Sequence, residues 1–172
     1  MIAALLLIAT SLLSSELQAL TCTFTPPTGW EEVSATLLSP RVKAAYLQKA
    51  KNSFSPSLNL AIEENIESTL EEYLTCIKNR YEKEQKSLWR DLGPFETRAG
   101  TARLTSIDIR TKQGDARLLQ LILLRNHTAY VLTAAVAKEE FSKLQKTLDA
   151  VFCSLNLTDN LVESRETATK QK

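Results

Sequence analysis

The sequence predicts an α+β domain, an α/β/α sandwich around a central antiparallel sheet, from three observations. Apolar residues recur every three or four positions around residues 66–81 and 141–152, which is the spacing of an amphipathic helix. Apolar segments punctuated by turn residues follow one another between residues 88 and 136, as in a meander of four strands. Residues 118–124 are apolar at every position except Gln120, so this strand requires cover on both faces.

Short strands are predicted before the first helix. Residues 29–33 form an extended segment, and residues 41–47 alternate well enough to make a second strand. A third strand carries Leu58, Leu60 and Ile62, and it is entered through Pro56, whose missing N–H suits the start of a strand. Residues 49–57 are predicted to be a polar loop between the second and third strands.

One long helix follows these strands. Its apolar stripe consists of Ile66, Leu70, Tyr73, Leu74, Ile77 and Tyr81. Ser68 and Glu71 have the spacing of a capping box, and acidic residues lie early in the segment while basic residues lie late, which complements the helix dipole. This charge gradient is explained by the helix alone.

The meander is predicted to comprise residues 88–98, 101–111, 117–124 and 129–136, with hairpin turns at 112–115 and 125–128. The spacing of Leu104, Ile107 and Ile109 breaks strict alternation, which predicts a β-bulge near Thr105 or Ser106. A second amphipathic helix closes the domain. Its stripe consists of Phe141, Leu144, Leu148, Val151 and Phe152.

The domain organisation follows from composition. Residues 1–21 are predicted to be a signal peptide, 22–28 a Thr/Pro-rich linker, 29–157 the folded domain and 158–172 a disordered polar tail. The apolar run from Ile2 to Leu13 fits the hydrophobic region of an export signal and is shorter than a membrane-spanning helix. A buried N-terminal helix is the alternative, but the run is apolar on every side and has no stripe to face a core.

Two processing events are consistent with this N-terminus. Ala19, Leu20 and Thr21 before Cys22 resemble the lipobox of bacterial lipoproteins loosely, which makes Cys22 a candidate for lipid attachment and thereby for membrane anchoring. Plain cleavage after Ala19 is the alternative, because small residues also suit the general signal peptidase. In either case, we expect an exported protein in the periplasm or anchored in the cell envelope.

Composition narrows the function classes. The formal net charge is +1, which gives no electrostatic reason to expect a nucleic-acid partner. Cys76 and Cys153 are expected to be free thiols that pack as small hydrophobes in helices. His127 is the single histidine and falls in a predicted hairpin turn, and the cysteines are far apart in sequence, so no metal or cofactor is expected.

Two functional hypotheses remain open at this level. Trp89, Arg90 and Phe95 flank a Gly-Pro turn and form a candidate partner-binding site, although Trp89 could instead pack beneath the first helix. The protein would then be a non-enzymatic binding or assembly module with a protein partner. The alternative is a hydrolase-like enzyme that uses carboxylates such as Glu63 and Asp91, and these would have to converge in one cleft.

Five short segments, in order along the chain, resemble the PsbP superfamily. They are Gly29-Trp30, Pro56-Ser57-Leu58-Asn59-Leu60, Arg98-Ala99-Gly100-Thr101-Ala102, Ala129-Tyr130-Val131-Leu132-Thr133 and Val151-Phe152-Cys153-Ser154-Leu155. The superfamily includes PsbP proteins of photosystem II, the Ran release factor and bacterial DcrB-like envelope lipoproteins. The resemblance implies an α/β/α sandwich used for binding or assembly, with no active site to carry over, and the DcrB-like exported lipoproteins are closest in context.

Overall fold

A computed structural model describes residues 20–49, 54–84 and 87–159. Contacts between residues define Cys22–Leu157 as one compact unit. Most of the expected signal peptide and most of the expected disordered tail therefore lie outside the described residues.

The described residues form a seven-stranded antiparallel sheet and a separate two-stranded sheet. The strands and helices are β1 (Leu20–Thr23), β2 (Glu31–Glu32), β3 (Val42–Leu47), β4 (Ser57–Glu63), α1 (Leu70–Asn79), β5 (Leu88–Thr97), β6 (Gly100–Thr111), β7 (Gly114–Arg125), β8 (Thr128–Ala137), α2 (Phe141–Cys153) and β9 (Asn156–Asp159). The sheet has the order β2-β3-β4-β8-β7-β6-β5, and β1 and β9 pair separately.

Strands β5 to β8 form the predicted meander. Each consecutive pair is antiparallel, and two residues join the last paired positions at each turn. In the turn between β7 and β8, Asn126 and His127 both have positive φ, at 49° and 58°, which matches the left-handed pair that a type I′ hairpin requires. His127 is exposed there, as predicted.

The two central strands are buried on both faces, which confirms the predicted sandwich. Residues 119–123 of β7 and 129–134 of β8 are all buried. Leu74 and Ile77 of α1 pack against Ile122 and Val131 on one face. The other face is covered by α2, whose Phe152 ring contacts Phe95 edge to face at 6.2 Å. Among the described residues, neither helix has the length and apolar character needed to cross a membrane.

Helix α1 begins later than its apolar stripe predicts. Thr69 is the N-cap and forms a capping box with Glu72, one residue after the predicted pair. Ile66 lies outside the helix because its N–H donates to the His127 carbonyl at 2.8 Å, which holds it at the β7–β8 turn. After Asn79 the chain continues as a π-helical turn, Arg80–Glu84.

The β-bulge lies on a different strand from the one predicted. Asp91 pairs with Thr105 and Gly93 with Leu104, so Leu92 is the extra residue and belongs to β5. Strand β6 itself is regular, and its Leu104 faces the side of the sheet opposite to Ile107 and Ile109. The prediction of a bulge near Thr105 or Ser106 was therefore wrong in strand, although the bulge of β5 lies opposite Thr105 and Leu104.

Helix α2 is joined to the meander through the β5–β6 turn. The N–H groups of Arg98 and Ala99 donate to the carbonyls of Cys153 and Leu155 at 3.1 and 3.0 Å. Strand β9 then continues to Asp159, two residues into the segment expected to be a disordered tail.

Cys22, Cys76 and Cys153 form no disulfide in the described part of the chain. Cys76 and Cys153 are exposed, however, which corrects the expectation that they pack as small hydrophobes. Both lie on the outer side of their helices, one position away from the buried residues Ile77 and Phe152.

One carboxylate ties β5, β6, β7 and the start of α2 together. The side chain of Asp108 is only 10% exposed, and it accepts hydrogen bonds from Arg117 at 2.7 and 3.1 Å and from Arg90 at 3.1 Å. Lys138 lies 3.2 Å away, and Arg117 also packs over the Phe141 ring at 4.8 Å. These cations, Arg117 above all, hold the pKa of Asp108 well below its usual range.

Replacing this carboxylate should destabilise the fold. We expect Asp108→Asn to lower the free energy of unfolding by about 2 kcal/mol at pH 7, since hydrogen bonds to charged groups are lost from a nearly buried site. Urea denaturation followed by circular dichroism measures this. Asp115→Asn is the matched control, because Asp115 pairs with the exposed Arg110, and it should change stability by less than about 0.5 kcal/mol.

The same site predicts a pH dependence. The pKa of Asp108 is lower in the folded state than the unfolded value of about 3.9, so its stabilising contribution is complete above about pH 5 and is lost as the pH falls below 4. The difference in unfolding free energy between the wild type and Asp108→Asn should therefore shrink at low pH. An unchanged difference at pH 3 would show that the carboxylate charge does not stabilise the fold.

Candidate docking groove

A groove of about 260 Å³ lies between α1 and the edge of the sheet. Helix α1 lines it with Leu70 and Leu74, and β5 lines it with Trp89. We call this the α1–β5 groove. Its formation follows from the position of α1, which packs over β7 and β8 and so leaves the outermost strand beside it only partly covered.

Trp89 forms the apolar floor of the groove. Its side chain is half-buried and packs against the core beneath α1. Of the two placements that the sequence allowed for Trp89, packing beneath the first helix is therefore the one observed. Lys78 lies over the ring with its ammonium 5.8 Å from the centroid, a cation–π contact. The indole Nε1 is buried and has no hydrogen-bond partner in the described part of the chain.

An ion pair forms the sheet side of the groove. Arg103 Nε donates to both carboxylate oxygens of Asp91, at 2.8 and 3.1 Å, and the Gly93 N–H donates to the same carboxylate at 2.9 Å. Hydrogen bonding from Arg103 lowers the pKa of Asp91. The bidentate geometry fixes both side chains on the face of the sheet that α1 covers.

Two charges on α1 complete the lining. Glu71 and Lys78 both line the groove and are exposed. Neither forms a salt bridge with any residue that the structure describes. Glu71 does lie close enough to Arg103 to contribute to raising the pKa of that guanidinium, after the larger effect of Asp91. The groove thus combines an apolar floor with charges of both signs.

The structure separates the three residues predicted to bind a partner. Trp89 lies opposite Ile107 and faces α1, whereas Arg90 lies opposite Ser106 and binds Asp108 on the other face. Phe95 also faces away from α1 and packs on Phe152 of α2. Only Trp89 lies in the groove.

Sequence reasoning missed Lys78 and Arg103 as site residues. Lys78 is one of several basic residues late in α1, which the helix dipole explains by itself. Arg103 is brought to Asp91 across a bulged strand pair, where counting residues from the turn gives the wrong partner. Only the Asp108–Arg117 pair could have been found from the sequence. The two residues are equally far from a predicted hairpin turn, which predicts that they lie opposite each other on β6 and β7.

The two carboxylates of the enzyme alternative do not converge. Glu63 lies on β4 and Asp91 on β5, which are four positions apart in the sheet, or about 19 Å at the usual strand spacing. Each is already engaged: Glu63 accepts a hydrogen bond from Tyr73 at 3.0 Å and lies 3.6 Å from Arg41, and Asp91 is held by Arg103. Glu63 and Asp91 therefore do not form the pair of catalytic carboxylates that the hydrolase-like alternative requires.

A larger cavity of about 550 Å³ lies between the β6–β7 turn and the start of α2. Its charged groups include Asp115, which pairs with Arg110, and Lys138, which pairs with Asp108. The carboxylates of Glu139 and Glu140 add negative charge. Within the described residues, no group of three or more His, Cys, Asp or Glu side chains is arranged to hold a metal ion.

Comparison with known proteins identifies the fold. No family model and no curated protein matches the sequence. Among solved structures, LpqN of Mycobacterium tuberculosis, involved in cell envelope biogenesis, has a TM-score of 0.58 at 13% identity, over 84% of this chain and 87% of LpqN.

Two further structures have similar scores. The PsbP protein (CyanoP) of a Synechocystis species has a TM-score of 0.53 at 11% identity, over 84% of this chain and 96% of the other. The Saccharomyces cerevisiae Ran-binding protein Mog1p has a TM-score of 0.53 at 12% identity, with 83% and 97% covered. The chain therefore has the PsbP-like α+β sandwich fold, as the sequence resemblance implies.

The unpaired indole nitrogen of Trp89 makes a testable prediction. Trp89→Phe removes some ring area but also removes a buried N–H that has no acceptor, so we expect the free energy of unfolding to change by less than about 1 kcal/mol. Trp89→Ala removes the whole floor and should cost about 3 kcal/mol. Chemical denaturation measures both. If the two substitutions are equally destabilising, the indole N–H contributes a hydrogen bond.

Proposed function

We propose that the protein is an exported, non-enzymatic binding or assembly module of the cell envelope, and that a protein partner docks in the α1–β5 groove. The observation that carries the proposal is the composition of the groove. Trp89 and Leu74 provide an apolar surface, and Glu71 and Lys78 surround it with charges that have no salt-bridge partner among the described residues. An aromatic anchor surrounded by charged side chains is typical of protein interfaces.

The electrostatics of the ionised side chains favour binding over catalysis. A catalytic acid needs a pKa raised toward neutrality, whereas Arg103 lowers the pKa of Asp91 and Arg117 lowers that of Asp108. The two carboxylates are held in ion pairs that organise the sheet. Their role in this proposal is to position the walls of the groove.

An envelope location is supported by two independent features. The apolar run from Ile2 to Leu13 has the length of an export signal. One protein with the same fold, LpqN, takes part in cell envelope biogenesis. Binding as the function of the fold is supported by Mog1p, which binds Ran.

The surroundings of Cys22 favour cleavage after Ala19 over lipid attachment. Cys22 lies within strand β1, Leu20–Thr23, so a cut immediately before Cys22 would remove two residues of this strand. The Cys22 side chain is half-buried, and burial raises the pKa of its thiol to about 12. A lipid on this sulfur would have to displace it from the fold.

Mass spectrometry of the protein purified from its native envelope tests this processing. We expect an N-terminal Leu20 and an unmodified Cys22. A diacylglyceryl group on an N-terminal Cys22 would instead establish the lipoprotein alternative, and it would predict that Cys22→Ala releases the protein from membranes. An intact Met1 would contradict export altogether.

Site-specific photocross-linking tests the docking surface. A photoreactive amino acid at Thr75, which is exposed in the groove, should form an adduct with an envelope protein in the native host. The matched control is Thr147, an exposed threonine on α2 at the opposite face of the sheet, and it should form none. Trp89→Ala should abolish the adduct at Thr75. Adducts at Thr147 alone would place the partner on the opposite face, and an adduct at Thr75 that survives Trp89→Ala would show that Trp89 does not anchor the partner.

A further inference from the structure

The helical layer on one face of the sheet ends before the sheet does. Leu74 and Ile77 of α1 pack over β7 and β8, and from β5 only Trp89 joins this cluster. Beyond it, Pro94, Glu96 and Thr101 at the outer corner of the same face are exposed. Since the faces of sheets in this architecture are covered by helices, a further helix is the element expected to cover this open strip beside α1.

The edge of the sheet itself is poorly suited to an added strand. Leu92 bulges out of β5, and Pro94 has no N–H to offer a neighbouring chain. Both features commonly protect edge strands from pairing. A partner that contacts this corner is therefore expected to lie in the groove and not along the edge.

The positions of the charged residues on α1 indicate which charges a partner would carry. Glu71 and Lys78 are seven residues apart, which places them two turns, or about 10 Å, apart on the same side of the helix. Leu74 lies between them in the sequence and is buried in the core cluster, and the partly exposed Leu70 and Trp89 pack against that cluster. A helix lying alongside would match this pattern with one acid and one base two turns apart and apolar residues between them.

We propose that the α1–β5 groove binds an amphipathic helix of a protein partner, with an apolar side chain against the partly exposed Leu70 and Trp89, a carboxylate against Lys78 and a basic group against Glu71. The inference rests on the proposed function, which it deepens by naming the chemistry of the partner. Helix-in-groove recognition uses the same apolar spacing of three and four residues.

Three labelled peptides test the inference by fluorescence anisotropy with the full chain. Each is an alanine-based helix with two leucines between two charged positions that are seven residues apart, and the charges are Glu and Lys, Glu and Glu, or Lys and Lys. The Glu/Lys peptide should bind about fivefold more tightly than either like-charged peptide, because each of those loses one pair. Equal binding of all three peptides would overturn the inference.

A charge reversal in the protein sharpens the test. Lys78→Glu should weaken binding of the Glu/Lys peptide and make the Lys/Lys peptide the tightest of the three. Lys143→Glu, a matched reversal at an exposed position on α2, should leave the order unchanged. Circular dichroism confirms that both variants are folded. A preference that does not switch with Lys78→Glu would also overturn the inference.

The two proposals fail in distinguishable ways. If no peptide binds but the adduct at Thr75 still forms and depends on Trp89, the partner uses the groove without the proposed helix. If the adduct at Thr75 does not form, the groove is not the docking surface and the proposed function is wrong at this site.

Discussion

Burial of the central strands on both faces is the constraint from which the rest of the architecture follows. Residues 119–123 of β7 and 129–134 of β8 are buried without interruption, so neither face of the sheet can be left to solvent there. Helix α2 covers one face through Phe152, and α1 covers the other through Leu74 and Ile77. Helix α1 packs on these central strands, and on its side of the sheet the outermost strand β5 is therefore less completely covered.

The Asp108 cluster holds the outer strand to that centre. Its carboxylate joins Arg90 on β5 to Arg117 on β7 and Lys138 at the start of α2. Because Asp108 lies on the face covered by α2, these charges occupy the opposite side of the sheet from the groove. The arrangement fixes β5 from one face and leaves its other face, with Trp89 and Asp91, available beside α1.

Periodicity and turn chemistry were enough to predict the order of strands and helices, the meander and the two covering layers. Two of the segments that resemble the PsbP superfamily meet in the structure, since Arg98 and Ala99 donate hydrogen bonds to the carbonyls of Cys153 and Leu155. Contacts between side chains that are far apart in the sequence could not be predicted in the same way. The Arg103–Asp91 pair and the start of α1 depend on a bulge and on a bond from Ile66 to His127, and neither has a local sequence signal.

The extra residue Leu92 explains why Trp89 and Phe95, which the sequence suggested as parts of one site, lie on opposite faces of the sheet. In a regular strand Trp89 and Phe95, six positions apart, would project from the same face. Because Leu92 is inserted between them, Trp89 faces α1 and Phe95 faces α2. The same bulge, together with Pro94, makes the edge a poor template for another strand. The extra residue Leu92 thus both separates Trp89 from Phe95 and disfavours strand pairing at β5, which is consistent with the proposal that a helix docks beside Trp89.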